Sequence, residues 1–89
     1  MPFFVYIIQN PKGRSYIGQT SDLQQRLERH NSGKVFWTKS KRPWKLVFTQ
    51  QFETRSEAVA EERRLKALKS SKAIELHIAR AAESRRDGA

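Results

Sequence analysis

The longest apolar run in the chain is Phe3-Phe4-Val5-Tyr6-Ile7-Ile8. It is short, aromatic and β-branched, which reads as a strand buried on both faces. Arg14 to Gly18 reads as its partner, and Asn10-Pro11-Lys12-Gly13 lies between them. Asn10 suits the first turn position and Pro11 the second. Gly13 suits the left-handed position that closes a three-residue hairpin loop with a bulge. That loop pairs Asn10 with Arg14 and Tyr6 with Gly18, so Tyr16 becomes a diagonal neighbour of Tyr6 on the same face. A loop one residue longer or shorter would send the two phenols to opposite faces.

Ser21 with Gln24 forms a capping-box pattern, and the helix it opens should stop at Asn31-Ser32-Gly33. Lys34 to Lys45 is a basic loop with aromatics. Pro43 then closes off any helix, and Leu46 to Phe52 reads as a third strand. Thr54 with Glu57, or Ser56 alone, starts a second helix through about Leu68. Ser70-Ser71 caps a third, ending near Ala82. The order is ββαβαα, an α+β arrangement. We expect one domain over residues 1–82, with 83–89 a disordered tail.

Within this frame Leu23, Arg26, Leu27 and His30 fall on one stripe of the first helix, so its inward face carries two cationic groups beside its apolar anchors. An isolated pair of this kind could simply snorkel to solvent. In the second helix Ala58, Glu62, Leu65 and Lys69 share a stripe, which makes Glu62 the carboxylate that points inward. An unpaired buried carboxylate costs several kcal/mol, so Glu62 needs a basic partner, Arg26 being the candidate, or a metal ion.

Charge narrows the chemistry. Lys and Arg outnumber Asp and Glu by 18 to 9, a formal net charge of +9, which favours a polyanionic partner and nucleic acid first. The chain has no cysteine, which excludes disulfides, thiolate zinc sites and cysteine catalysis. No apolar run approaches the ~20 residues that span a bilayer, and no signal-peptide pattern is present, so a cytoplasmic protein without membrane association is expected. In such a chain two phenols, an arginine and a histidine brought together suggest attack on a phosphodiester.

The ordered set Val5-Tyr6, Tyr16-Ile17-Gly18, Thr20, Leu23 with Arg26 and His30, then Glu57-Ala58 with Glu62, Leu65 and Lys66 resembles the GIY-YIG nuclease superfamily over roughly residues 3 to 78. It is most similar to the small stand-alone bacterial branch, UPF0213-like, which is related in its nuclease fold to the N-terminal domain of UvrC and to phage homing endonucleases. The resemblance implies a small three-stranded antiparallel sheet flanked by helices. It also implies a divalent-metal-dependent endonuclease acting on DNA in repair or processing, with Tyr6, Tyr16, Arg26, His30 and Glu62 as catalytic residues. Glu62 would hold one Mg²⁺ or Mn²⁺, and Arg26 would stabilise charge on the scissile phosphate. The tyrosines would position or deprotonate water, and His30 would assist proton transfer. A free phenol near pKa ~10 is a poor base, so one tyrosine would need its pKa lowered by the metal or by Arg26. The chain departs from the family in two places. Phe4-Val5-Tyr6 stands where the family name implies Gly-Ile-Tyr. No asparagine follows Asn31, where larger members carry one after the glutamate helix, so that role is empty or moved to His77 or a lysine.

Lys34, Lys39, Lys41 and Arg42 with Trp37, and Lys66 with Lys69 on the second helix, are the candidate nucleic-acid contacts. Trp44 reads as core. Phosphate contacts give affinity without sequence choice, so the expected substrate is branched, nicked or single-stranded DNA, with specificity weak, structural or lent by a protein partner. The other readings are a non-catalytic nucleic-acid-binding module and, on charge alone, an RNA- or ribosome-associated factor.

Overall fold

The computed structural model describes residues 2–68 and 70–87, with side chains for all of these except 71 and 82–87. Strands β1 (Phe3–Gln9), β2 (Ser15–Thr20) and β3 (Lys45–Phe52) form an antiparallel sheet in the order β2-β1-β3. Helix α1 (Leu23–Asn31) follows β2. Helices α2 (Arg55–Lys66) and α3 (Ser71–Asp87) follow β3. The ββαβαα order and the α+β class agree with the sequence pattern. The most apolar segment is the central strand, where Val5, Tyr6, Ile7 and Ile8 are all buried.

Alternation along β1 divides the interior in two. Val5 and Ile7 pack with Ile17 and Phe48 against Ala58 and Leu65 of α2 and against Ile74 and Ile78 of α3. Tyr6 and Ile8 face the other way, with Trp44, Tyr16 and Leu46 and with Leu23 and Leu27 of α1. β3 serves both faces through a register shift, since Ile7 pairs with Phe48 but Ile8 pairs with Leu46. The extra residue, Val47, joins the α2–α3 side and leaves Leu46 to the other.

The hairpin has the predicted register. Asn10 N donates to Arg14 O and Gly13 N donates to Asn10 O, both at 3.0 Å, and Gly13 takes φ +82°. Tyr6 therefore lies opposite Gly18. The Asn10 side chain does more than favour a turn. Its Oδ1 accepts from Lys12 N at 3.1 Å and Arg14 N at 2.9 Å, while Nδ2 donates to Lys41 O at 3.2 Å, tying the hairpin to a short 3-10 turn at Lys39–Lys41.

The helix ends differ in detail from expectation. The N-cap of α1 is Asp22, whose carboxylate accepts from Gln25 N at 3.0 Å, and not Ser21 with Gln24. Thr20 Oγ1 holds the Asp22 amide at 3.1 Å, and a carboxylate suits the positive end of a helix better than a hydroxyl. The Thr54–Glu57 capping box of α2 is present, although the helix ends at Lys66, before Leu68. α3 continues through Asp87, beyond Ala82 and into the segment expected to be a disordered tail. Alanine, glutamate and arginine propagate a helix well, and no helix breaker occurs before Gly88. None of the helices among the described residues is long and apolar enough to cross a membrane.

Asn10→Ala should destabilise the fold by about 1–3 kcal/mol, since it leaves two turn amides and a carbonyl without partners. Urea unfolding against wild type measures this, and a change below about 0.5 kcal/mol would show that the side chain is dispensable.

Candidate active site

Tyr6 projects from the middle of the central strand and is nearly buried, at 2% exposure. Its ring folds over the opposite residue, Gly18. A Cβ there would lie 2.5 Å from the Tyr6 hydroxyl, so only glycine admits the ring in this position. A buried phenol needs partners for both its donor and its acceptor. Arg26 Nε donates to Tyr6 Oη at 3.3 Å, and His30 Nε2 lies 2.9 Å from the same oxygen.

The remaining contacts decide the direction of these bonds. Thr38 Oγ1 donates to Val35 O at 3.4 Å, and so is an acceptor for His30 Nδ1, 2.8 Å away. Burial, with the Arg26 charge beside it, lowers the His30 pKa from 6.5 to about 4, so the ring is neutral at physiological pH. A neutral ring protonated on Nδ1 has a lone pair on Nε2, and Tyr6 donates to it. The chain runs Arg26 Nε–H to Tyr6 O, Tyr6 O–H to His30 Nε2, and His30 Nδ1–H to Thr38 Oγ1.

Tyr16 completes the cluster on the same face. Its ring centroid lies 6.4 Å from that of Tyr6 and 4.9 Å from that of His30. The hydrogen bond to Tyr6 raises the pKa of Arg26 against the opposing effect of burial, and the nearby Tyr16 adds to the rise. Tyr6 does not have the lowered pKa that a free phenolate base would need. Burial raises it, and the opposing influence of Arg26 is the smaller one.

Glu62 arrives from α2, on the far side of the sheet from α1. Its charge still acts on Tyr6, adding to the rise in the phenol's pKa. The ion pair with Arg26 does not form. Glu62 instead pairs one helical turn along with Lys66, Oε2 to Nζ 2.8 Å, and Arg26 spends its donor on the phenol. The Glu62 side chain is 19% exposed and that of Lys66 is 53% exposed, so the lysine is free to leave. Among the described residues no group of three or more His, Cys, Asp or Glu comes together to hold a metal ion. A lone carboxylate fits an ion of the magnesium type, which keeps several waters and takes further ligands from substrate phosphates. His77 packs on Phe48 at 4.8 Å, on the α2–α3 side of the sheet from which Glu62 also comes.

The candidate nucleic-acid contacts fall into different situations. Lys34 and Lys39 are exposed and Lys41 half-buried. Arg42 is exposed but tied, with Nε on Lys39 O at 2.7 Å and Nη1 on Asn31 O at 3.4 Å. Trp37 is 71% exposed, as is its neighbour Phe36 at 70%, the two rings meeting edge to face at 5.4 Å. Lys69 lies outside the described residues. Trp44 is core, as expected: its indole donates to Thr38 O at 2.9 Å, and Asn31 clasps its backbone on both sides.

Thr38 is the site residue that sequence reasoning missed. It is buried and fixes the histidine tautomer, yet it sits in an aperiodic loop where no spacing rule marks it. The polar and cationic pair Arg26 and His30, by contrast, do reach the phenols as their helical stripe implied.

A phenol, arginine and histidine are thus joined on one face of a small antiparallel sheet, with a carboxylate acting on the phenol from a helix behind it. The chain belongs to the GIY-YIG family: residues 2–75 match the GIY-YIG catalytic domain. More narrowly it is similar to UPF0213 proteins. A UPF0213 protein of Staphylococcus aureus strain Mu50 is 38% identical over 74 residues, covering 82% of this chain and 90% of the relative. One from Staphylococcus saprophyticus is 34% identical over the same length and coverage. The solution NMR structure of a UPF0213 protein from Bacillus halodurans superposes with a TM-score of 0.58 at 34% identity, covering 89% of this chain and 84% of that one.

Two outcomes follow from this geometry. Gly18→Ala should displace the Tyr6 hydroxyl and break its bonds to Arg26 and His30. In an NMR spectrum of the variant, the His30 ring signals should move; unchanged signals would show that the glycine is not needed for the close approach. The second concerns pH. Between about 4 and 6.5 the unfolded chain binds a proton at His30 that the folded chain does not, so folding stability rises with pH across that window. The contribution of the neutral ring is fully present above 6.5 and lost as pH falls toward about 4. An NMR titration should place the His30 midpoint near the lower value, and wild type should lose its margin over His30→Gln as the solution is acidified. A midpoint near 6.5 would contradict the buried neutral ring.

Proposed function

We propose that this chain is a divalent-metal-dependent endonuclease that hydrolyses DNA phosphodiester bonds, with its catalytic domain spanning residues 1–82. The observation that carries this reading is the directed chain from Arg26 through Tyr6 to His30, beside Tyr16 and within reach of the Glu62 charge. The Tyr6 hydroxyl already points its proton at a neutral acceptor. It can therefore take a proton from an attacking water as its own passes to His30 Nε2, without existing first as a free phenolate. Arg26 offers a fixed positive charge to the phosphate oxygens as they gain charge, and Tyr16 orients the water or the phosphate from the same face. Glu62 would hold the single Mg²⁺ or Mn²⁺, which supplies Lewis-acid stabilisation of the phosphate. Lys66 would then be released from Glu62 to pair with the substrate backbone.

The exposed Phe36–Trp37 pair, with Lys39 Nζ over the Phe36 ring at 5.4 Å, supports a preference for substrates with unpaired bases. Single-stranded, nicked or branched DNA is the substrate class we infer. Lys34, Lys39, Lys41, Lys66 and Lys69 would bear on the backbone, and RNA is a weaker candidate. A protein partner would add selectivity. DNA repair or processing in the bacterial cytoplasm is the setting that fits.

The test incubates wild type, Tyr6→Phe and Glu62→Ala with supercoiled, nicked, branched and single-stranded DNA in Mg²⁺ or Mn²⁺. Wild type should cut, and each variant should be slower by about 10²–10⁴-fold. Equal cleavage by Glu62→Ala and wild type would overturn the assignment, and binding with no cleavage by any of them would leave a nucleic-acid-binding module.

A further inference from the structure

A second basic feature lies away from Tyr6, at the hairpin end of the sheet. Lys12 and Arg14 on the hairpin face Ser40, Lys41 and Arg42 of the neighbouring loop across a cleft of about 440 Å³, with Asn10 at its base. No carboxylate lines it. The ion pairs among the described residues are Arg64 with Glu61 and Lys66 with Glu62, so the cations of this cleft are uncompensated.

Like charges on two flexible segments would normally drift apart. Here the segments cannot, because Asn10 binds the amides of Lys12 and Arg14 on one wall and the carbonyl of Lys41 on the other. Arg42 is likewise held by its bonds to Lys39 O and Asn31 O. The walls are therefore set before any ligand arrives, and an anion between them relieves the mutual repulsion of the cations at little cost in ordering.

The cleft is also placed in relation to the candidate active site. Thr38 touches His30 and Lys41 touches Asn10, so one short stretch of loop joins the two. Along β1, at a rise of ~3.3 Å per residue, the hairpin end lies about 13 Å from Tyr6. At ~3.4 Å of helix axis per nucleotide, that is at most about four nucleotides of a duplex strand, and fewer of an extended single strand.

We infer that this cleft is a second phosphate-binding site, which takes a backbone phosphate of the same DNA strand a few nucleotides from the bond lying over Tyr6. Its location rests on the nuclease reading, but its binding does not. Lys12 and Arg14, which no motif marks, then set the register and the minimum length of the substrate.

The test measures binding by fluorescence anisotropy over a series of single-stranded and duplex oligonucleotides from about four to about sixteen nucleotides. Affinity of wild type should rise in a step once the oligonucleotide spans both sites. Lys12→Ala/Arg14→Ala, altering two exposed side chains, should lack that step, bind the longer oligonucleotides about tenfold more weakly, and lower the slope of log K against log salt by about one. The same step should appear in Tyr6→Phe, where cleavage is slowed. If the double variant keeps the wild-type step and salt slope, the cleft inference is overturned, whether or not wild type cuts DNA. If wild type cuts nothing but the step is present and lost in the double variant, the nuclease reading fails and the cleft stands.

Discussion

The structure depends on burying the hydroxyl of Tyr6 without leaving it unsatisfied. In a chain of 89 residues the core is small, and an unpartnered buried polar group would cost about 1–3 kcal/mol of a total stability of about 5–15. Tyr6 resolves this by drawing three segments to one point: β1, which carries it, α1, which supplies Arg26 and His30, and the loop after α1, which supplies Thr38. Each bond constrains the next. His30 is oriented because Thr38 is spent on Val35 O, and Thr38 is placed because Trp44 grips its carbonyl. The cluster that would perform chemistry is thus the same set of bonds that docks α1 and its following loop on the sheet.

Division of labour between the two sheet faces makes this affordable. The face toward α2 and α3 is built from Val5, Ile7, Ile17, Phe48, Ala58 and Leu65 and is apolar throughout its buried cluster. Stability supplied there tolerates a polar interior on the face toward α1. Glu62 connects the two. Ala58 and Leu65 anchor its helix on the apolar side, and Glu61 pairs with Arg64 along the same helix. One residue on, about 100° around the helix, Glu62 pairs with Lys66, and its charge acts on Tyr6.

The parts of this arrangement that were legible in the sequence are those governed by short-range rules. Asn10-Pro11-Lys12-Gly13 has few backbone solutions, so the hairpin register and the shared face of Tyr6 and Tyr16 could be read directly. Helical period placed Arg26, His30 and Glu62 on inward or near-inward faces. Which charges then meet was not legible, because that depends on the docking of helices on opposite sides of the sheet. Glu62 took Lys66, its own neighbour along α2, and Arg26 took a phenol. Thr38 and the Asn31 clasp on Trp44 were hidden for a related reason: their partners are long-range and their loop has no period. The hairpin cations Lys12 and Arg14 looked like turn residues, and only the approach of the Lys39–Lys41 turn gives them a cleft.

The raised pKa of Tyr6 bears on how such a site could work. A phenol made acidic enough to ionise at rest would carry a negative charge, and it would repel any phosphate brought against it. Tyr6 stays neutral because burial outweighs the pull of Arg26, and His30 stays neutral because burial and Arg26 act together on it. The resting site is therefore positive, through Arg26, and open to an anion. Were a phosphate to lie against Arg26, its negative charge would offset the smaller of the two influences that hold His30 neutral, and the imidazole would become a better proton acceptor. The same event that brings the bond to be cut would thereby strengthen the base at the end of the chain. Proton acceptance would be coupled to substrate arrival, not stored in advance as a free phenolate.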